Sequence, residues 1–130
     1  MSDHIPASLS RMMGGDPIEA MEIAKQIVGG DIPVVPRVLG QIAANGLQPK
    51  WTRIAAIYSL GFLGNRNFLP ELRDILSDNK IDDEIRSYAA EALGNIGDED
   101  SVSILRDVLR SHPTGELLAS CNYALNELNA

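Results

Sequence analysis

Between residues 85 and 109 the apolar positions fall into two helical stripes. Ile85, Ala89, Ala92, Leu93 and Ile96 recur at the three-and-four spacing of one helix face. Gly97-Asp98 then ends the run, because glycine takes the left-handed position after a helix without a Cβ clash. Val102, Leu105, Val108 and Leu109 line a second face, with Ser101 or Asp100 available as its N-cap. The pattern predicts a helix A and a helix B joined by a hinge.

The same arrangement stands thirty-three residues upstream. Residues 53 to 76 laid on 86 to 109 give nine identities in twenty-four positions, concentrated in AxxxLGxxG (Ala56, Leu60, Gly61, Gly64; Ala89, Leu93, Gly94, Gly97) and LRDxL (Leu72 to Leu76; Leu105 to Leu109). Here helix A follows Pro49 and carries Trp51, Ile54, Ala55, Ala56, Ile57, Tyr58, Leu60, Phe62 and Leu63. A helix apolar nearly all round is covered on more than one side, as an inner repeat would be. Weaker echoes extend both ways. VVPRVLGQI (Val34 to Ile42) aligns with FLPELRDIL (Phe68 to Leu76), and its helix A would be Ile18 to Val28, closed by Gly29-Gly30. LLASCNYALNELN (Leu117 to Asn129) aligns with a further helix A. Residues 1–15 are expected to form a short helix or to be disordered, and 16–130 one repeat domain.

A lone helical hairpin cannot bury its own apolar stripe, whereas stacked hairpins cover one another, so the predicted class is an all-α, α-α superhelix (solenoid) of about three hairpins and a terminal half-repeat. The TPLHxA signature of ankyrin repeats is absent, and the Trp, Gly, Tyr spacing of tetratricopeptide repeats does not fit. RSYAAEALGNIGDEDSVSILRDVL (Arg86 to Leu109) resembles the short HEAT-like repeats of phycobilisome lyase proteins and bacterial scaffold proteins, whose units read R-x-x-A-A-x-A-L-G-x-I-G-D before an apolar-periodic second helix. The resemblance is specific over residues 85–109, good over 52–76 and loose elsewhere. It implies a HEAT-like α-solenoid with B helices on a concave face and A helices on a convex one, in folds that usually serve as binding surfaces.

Composition sharpens this picture. Apolar residues make up 45% and charged residues 22% of the 130, as in an ordinary globular chain, but aromatics only 5%, so the core is aliphatic. The net charge of −7 disfavours a nucleic-acid backbone and favours a basic protein partner. MSDHIPASLSRMM has no apolar signal region and no run is long enough to span a membrane, while the single Cys121 can form no internal disulfide. These features lead to the expectation of a cytoplasmic protein.

Catalytic chemistry finds little purchase in the sequence. His4 and His112 stand far apart and neither belongs to a His-Glu pair, a motif that the iron-dependent hydroxylases built from HEAT-like repeats need; no metal is expected. Cys121 falls on the stripe Leu118, Cys121, Leu125 and reads as a small buried hydrophobe. Gly-x-x-Gly sits at helix ends, lacks a Walker lysine and recurs with the repeat, so the first glycine reads as a close-contact residue and the second as a stop. Arg53 and Arg86 occupy equivalent positions and are expected to bridge repeats through Asp98, or through Asp74 or Asp107.

The remaining candidates are surface groups. Arg37, Gln41, Glu71, Asp74 and Asp107 leave the apolar stripes of B helices, and Asp82, Asp83, Glu84 and Asp98, Glu99, Asp100 form acidic loops. Trp51 is either a core residue or an interface anchor. The expectation from sequence is therefore a non-enzymatic protein-binding module without cofactor, its acidic face docking a basic protein such as a toxin neutralised by an immunity protein. The alternative is an accessory subunit of a bilin lyase or another chromophore-handling scaffold. Self-association is compatible with either, and neither nucleic acid nor membrane is expected as a partner.

Overall fold

The computed structural model describes residues 7–130; the part of the N-terminal expectation that falls on residues 1–6 lies outside the described residues. After a 3-10 turn at Ala7–Leu9 come eight helices: α1 (Ser10–Met13), α2 (Pro17–Val28), α3 (Pro36–Ala44), α4 (Lys50–Leu63), α5 (Leu69–Ser77), α6 (Asp83–Ile96), α7 (Val102–Arg110) and α8 (Gly115–Glu127). No strand occurs among the described residues. The helices pack as two compact units, one extending to Leu63 and the other beginning at Gly64.

Local chemistry sets the helix ends. Asp16 caps α2 by accepting the Glu19 amide at 2.9 Å, with Pro17 in the first turn where its missing N–H costs nothing. Asp82 accepts the Glu84 amide at 2.8 Å at the start of α6. At its other end Gly97 takes φ +87°, which lets the Asp98 amide donate back to the Leu93 carbonyl at 3.0 Å. Neither Asp100 nor Ser101 caps α7 in the expected manner. Ser101 stands at the N-cap position, but its hydroxyl donates to the Asp98 carbonyl at 2.7 Å and braces the 3-10 turn Glu99–Ser101.

In the first unit α4 packs on both α2 and α3, which explains its nearly continuous burial from Thr52 to Ile57. The Thr52 hydroxyl donates at 2.7 Å to the Met12 carbonyl, giving a carbonyl at the end of α1 a partner. In the second unit α6 packs on α5 and α8, and α7 on α5 and α8. Each inner A helix thus lies on the B helix before it and on another A helix, and the buried positions are those that the periodicity marked: Ile54, Ala56 and Leu60, then Ile85, Ala89 and Leu93.

Arg53 and Arg86 share a role different from the expected acidic bridge. Arg53 Nε donates to the Ala43 carbonyl at 3.0 Å and Arg86 Nε to the Leu76 carbonyl at 2.9 Å. Both carbonyls belong to the penultimate residue of the preceding B helix, where carbonyls lack intrahelical partners and a cation complements the helix dipole. Arg86 also reaches Asp83 at 3.3 Å in its own helix. The acid Asp98 goes instead to Arg73.

The last helix is rotated relative to its expected stripe. Leu117, Ser120, Cys121 and Ala124 face inward, whereas Leu118 is 39% exposed. Gly94 explains the tight fit on this side: a Cβ there would stand 2.8 Å from the Ala124 Cα and 3.0 Å from its Cβ, so α6 and α8 meet backbone to backbone.

Candidate functional site

The acidic and aromatic residues singled out in the sequence do not assemble into one surface. In the first unit Arg37 and Gln41 are exposed on α3, and Trp51 is half-buried at the start of α4. In the second, Glu71 is half-buried and Asp74 exposed on α5. Asp82 caps α6, Asp83 pairs with Arg86, and Glu84 is half-buried. Glu99 and Asp100 are exposed, and Asp107 is paired with Arg110 one turn along α7. Asp98 is only 1% exposed; both its oxygens accept from Arg73, Oδ2 from Nε and Oδ1 from Nη2, each at 2.7 Å. A carboxylate bound in this bidentate way is occupied within the fold.

Three depressions of the second unit stand out among the described residues. One of about 330 Å3 involves Arg86, Asp107 and Ile104, but Arg86 is tied to Leu76 and Asp83, and Asp107 to Arg110. Another, of about 390 Å3, lies against Arg66 and residues 97–100, where Arg66 donates to the Ile96 carbonyl at 3.1 Å and Asp98 is held by Arg73. The charged groups named in both, Arg86, Asp107, Arg66 and Asp98, are engaged in holding the fold.

The third depression differs. It measures about 180 Å3 and is lined by Ser87, Tyr88 and Glu91 of α6 and by Glu116, Ala119 and Ser120 of α8. Glu91 is half-buried and accepts the Ser120 hydroxyl at 3.3 Å. Among the described residues no Lys or Arg is recorded in ion-pair contact with Glu91 or Glu116. Burial pushes the Glu91 carboxyl above the usual carboxylate range; the Ser120 hydroxyl pulls it back, and the charge on Glu116 adds to the upward push. The Ser87 hydroxyl donates to the Asp83 carbonyl at 2.7 Å, which leaves its oxygen free to accept from a donor in the depression. Two carboxylates and two hydroxyl oxygens, contributed by both helices, form an acceptor-rich recess suited to a cationic donor such as an ammonium group.

Sequence reasoning passed over this site. The available signal was Glu91 itself, a carboxylate inside Ala89-Ala90-Glu91-Ala92-Leu93 on a helix covered on two sides, but nothing in the sequence brings it to Glu116, twenty-five residues away.

The raised Glu91 value has a measurable consequence. A carboxyl whose folded pKa exceeds its unfolded one favours the fold below the unfolded value, and that contribution is lost as pH rises through the folded value. Glu91→Gln is therefore expected to increase stability on the alkaline side of the carboxylate range and to remove the part of the pH dependence that Glu91 contributes. Urea midpoints of both proteins from about pH 4 to about pH 8 check this, and parallel curves would refute it.

The donor set does not suit a resident transition metal. Non-haem iron sites commonly present two histidines and a carboxylate. Among the described residues no three His, Cys, Asp or Glu side chains converge. His112 is exposed just after α7, and Cys121 is buried, its thiol pushed up to about 11 by burial despite the opposing charge of Arg86. No described helix is long and apolar enough to cross a membrane.

Comparison with known proteins changes the functional picture. Residues 36–126 match the pattern of HEAT repeats. Deoxyhypusine hydroxylase of Kluyveromyces lactis is 38% identical over 71 residues, 55% of this chain and 22% of that protein. The Homo sapiens enzyme of that name is 35% identical over 71 residues, 55% of this chain and 23% of its own length. The aligned stretch thus spans less than a quarter of these relatives. The solved structure of human deoxyhypusine hydroxylase in complex with glycerol superposes with a TM-score of 0.68, at 24% identity, over 95% of this chain and 42% of that one. It shares the fold.

These relatives carry an enzyme's name, which overturns the expectation of a non-enzymatic binding module, with its immunity-protein version, its scaffold role and the bilin-lyase alternative. The likeness to phycobilisome lyase proteins gives way to deoxyhypusine hydroxylase within the same repeat class. The physical reason lies in the motif: Ala89, Leu93, Gly94 and Gly97 serve burial, close helix contact and helix termination, needs common to every short HEAT-like hairpin whatever its chemistry. With a match over more than half its length and the all-α repeat architecture expected from its periodicity, the chain belongs to the HEAT-repeat family.

Proposed function

We propose that this chain serves hydroxylase chemistry of the deoxyhypusine type, with the depression between α6 and α8 receiving the cationic end of the substrate side chain. The observation that carries the reading is the similarity to deoxyhypusine hydroxylases, 35–38% identical over 71 residues in fungal and human sequences. Deoxyhypusine is a lysine side chain extended by an aminobutyl arm, so it brings two amines that are protonated at neutral pH. The site supports such a ligand on independent grounds. Glu91 and Glu116 present negative charge to one recess, and Glu91 bears a desolvation penalty that an ammonium would offset. The net charge of −7 favours encounter with a cationic substrate through its long-range field.

Calorimetry with a peptide carrying deoxyhypusine, against the same peptide with plain lysine, tests the reading. The modified peptide is expected to bind more tightly, and Glu91→Gln to weaken it about tenfold, the scale of one charge-assisted hydrogen bond. Equal affinity for both peptides, or indifference to Glu91→Gln, would sink the assignment of this site.

A further inference from the structure

The class of chemistry named by the relatives and the donors of this chain disagree, and the disagreement is informative. We infer that the chain by itself holds no hydroxylase iron, and that its contribution to hydroxylation is made on the substrate side while the metal is held by donors outside this chain. The inference rests on the hydroxylase reading above, because only a reaction that inserts oxygen raises the question of where the metal sits.

Two histidines and one cysteine are the imidazole and thiol ligands that the chain contains. His4 lies outside the described residues, and His112 follows α7 at φ +57°, its backbone amide donating to the Leu109 carbonyl at 3.0 Å. No Asp, Glu or Cys joins it in a group of three among the described residues. Cys121 is fully buried between helices, and its raised pKa keeps it a thiol, whereas the metal-binding form is the thiolate.

The carboxylates are no better placed. Asp98 is enclosed by Arg73, Asp83 pairs with Arg86, and Asp107 pairs with Arg110. Glu91 and Glu116 do share a recess, but their neighbours there are hydroxyls, a tyrosine ring and Ala119. Imidazole commonly anchors non-haem iron, and the recess offers none. An organic ammonium needs no such ligand set, only acceptors at hydrogen-bond distance, and it meets them in this recess.

The experiment uses the whole 130-residue chain and the metal alone. Ferrous iron is added anaerobically, and cobalt(II) in a parallel sample; each is desalted, and retained metal is measured together with the cobalt absorption spectrum. The expected result is no stoichiometric retention and a spectrum unchanged from aqueous cobalt. One or more equivalents retained per chain, or ligand-field bands of a protein-bound ion, would overturn the inference, including by way of His4. Calorimetry with the deoxyhypusine peptide in the same metal-free buffer keeps the two readings apart. Peptide binding without metal retention supports both, metal retention overturns the present inference whatever the peptide does, and absence of both counts against the substrate assignment and the substrate-side half of the present inference while its metal half stands.

Discussion

Asp98→Ala is expected to be the most destabilising single substitution outside the aliphatic core, costing about 2–4 kcal/mol in urea unfolding. The Asp98 side chain is 2% exposed and accepts two bonds from Arg73, whose own side chain is 24% exposed. Removing the carboxylate strands a guanidinium that has already lost much of its water. Its remaining anionic neighbour is Asp100, 3.7 Å from Nη2 and 86% exposed, a solvated partner worth at most about 1 kcal/mol. Replacing both residues with apolar side chains, Asp98→Leu with Arg73→Met, is expected to cost less than Asp98→Ala alone, because the stranded charge is gone. A loss below about 1 kcal/mol for the single variant would show the pair to be dispensable.

Gly94→Val is expected to follow, with a loss of about 1–3 kcal/mol and a lowered Tm. The added Cβ would meet the Ala124 Cα at 2.8 Å, and a backbone atom cannot rotate away as a side-chain tip can. Relief requires α8 to slide along α6, taking with it Cys121 and Leu117, which are buried. In the milder Gly94→Ala background, Ala124→Gly is expected to restore part of the loss: it removes the methyl group that the new Cβ would meet at 3.0 Å, while the α8 backbone stays where it was. Thermal unfolding of the single and double variants measures both effects. An unperturbed Gly94→Val protein would mean that the two helices are not held at this separation. The movement would also spread the recess, since Glu91 and Glu116 sit on the two helices concerned.

How much of this was legible beforehand differs from element to element. The helix end at Gly97 follows from a glycine's freedom to turn left-handed, and the caps at Asp16 and Asp82 from carboxylates that accept amides two or three residues on, so such local chemistry lies in neighbouring residues. The close-contact role of Gly94 followed from its place in the repeat, although its partner, Ala124, did not. Arg53 and Arg86 were correctly read as one recurring device. Its acceptors are backbone carbonyls ten residues earlier, which carry no side-chain signature to be found in a sequence. The inward face of α8 was misplaced by one residue, since Leu118 and Leu117 are equally apolar and only the packing against α6 chooses between them.

The sequence by itself determined the repeat, its period, the helices and most of their buried faces, because periodic burial leaves a periodic record in the chain. Tertiary structure alone decided which charges are spent and which remain available. Asp83 reads as a free acidic loop residue until Arg86 is seen beside it, Asp98 reads as a partner of Arg53 or Arg86 until Arg73 is seen to hold it, and Glu91 gives no sign of a site until Glu116 and Ser120 are brought across from α8. Charge interactions act through space between side chains that share no periodicity, so only the packed chain settles them.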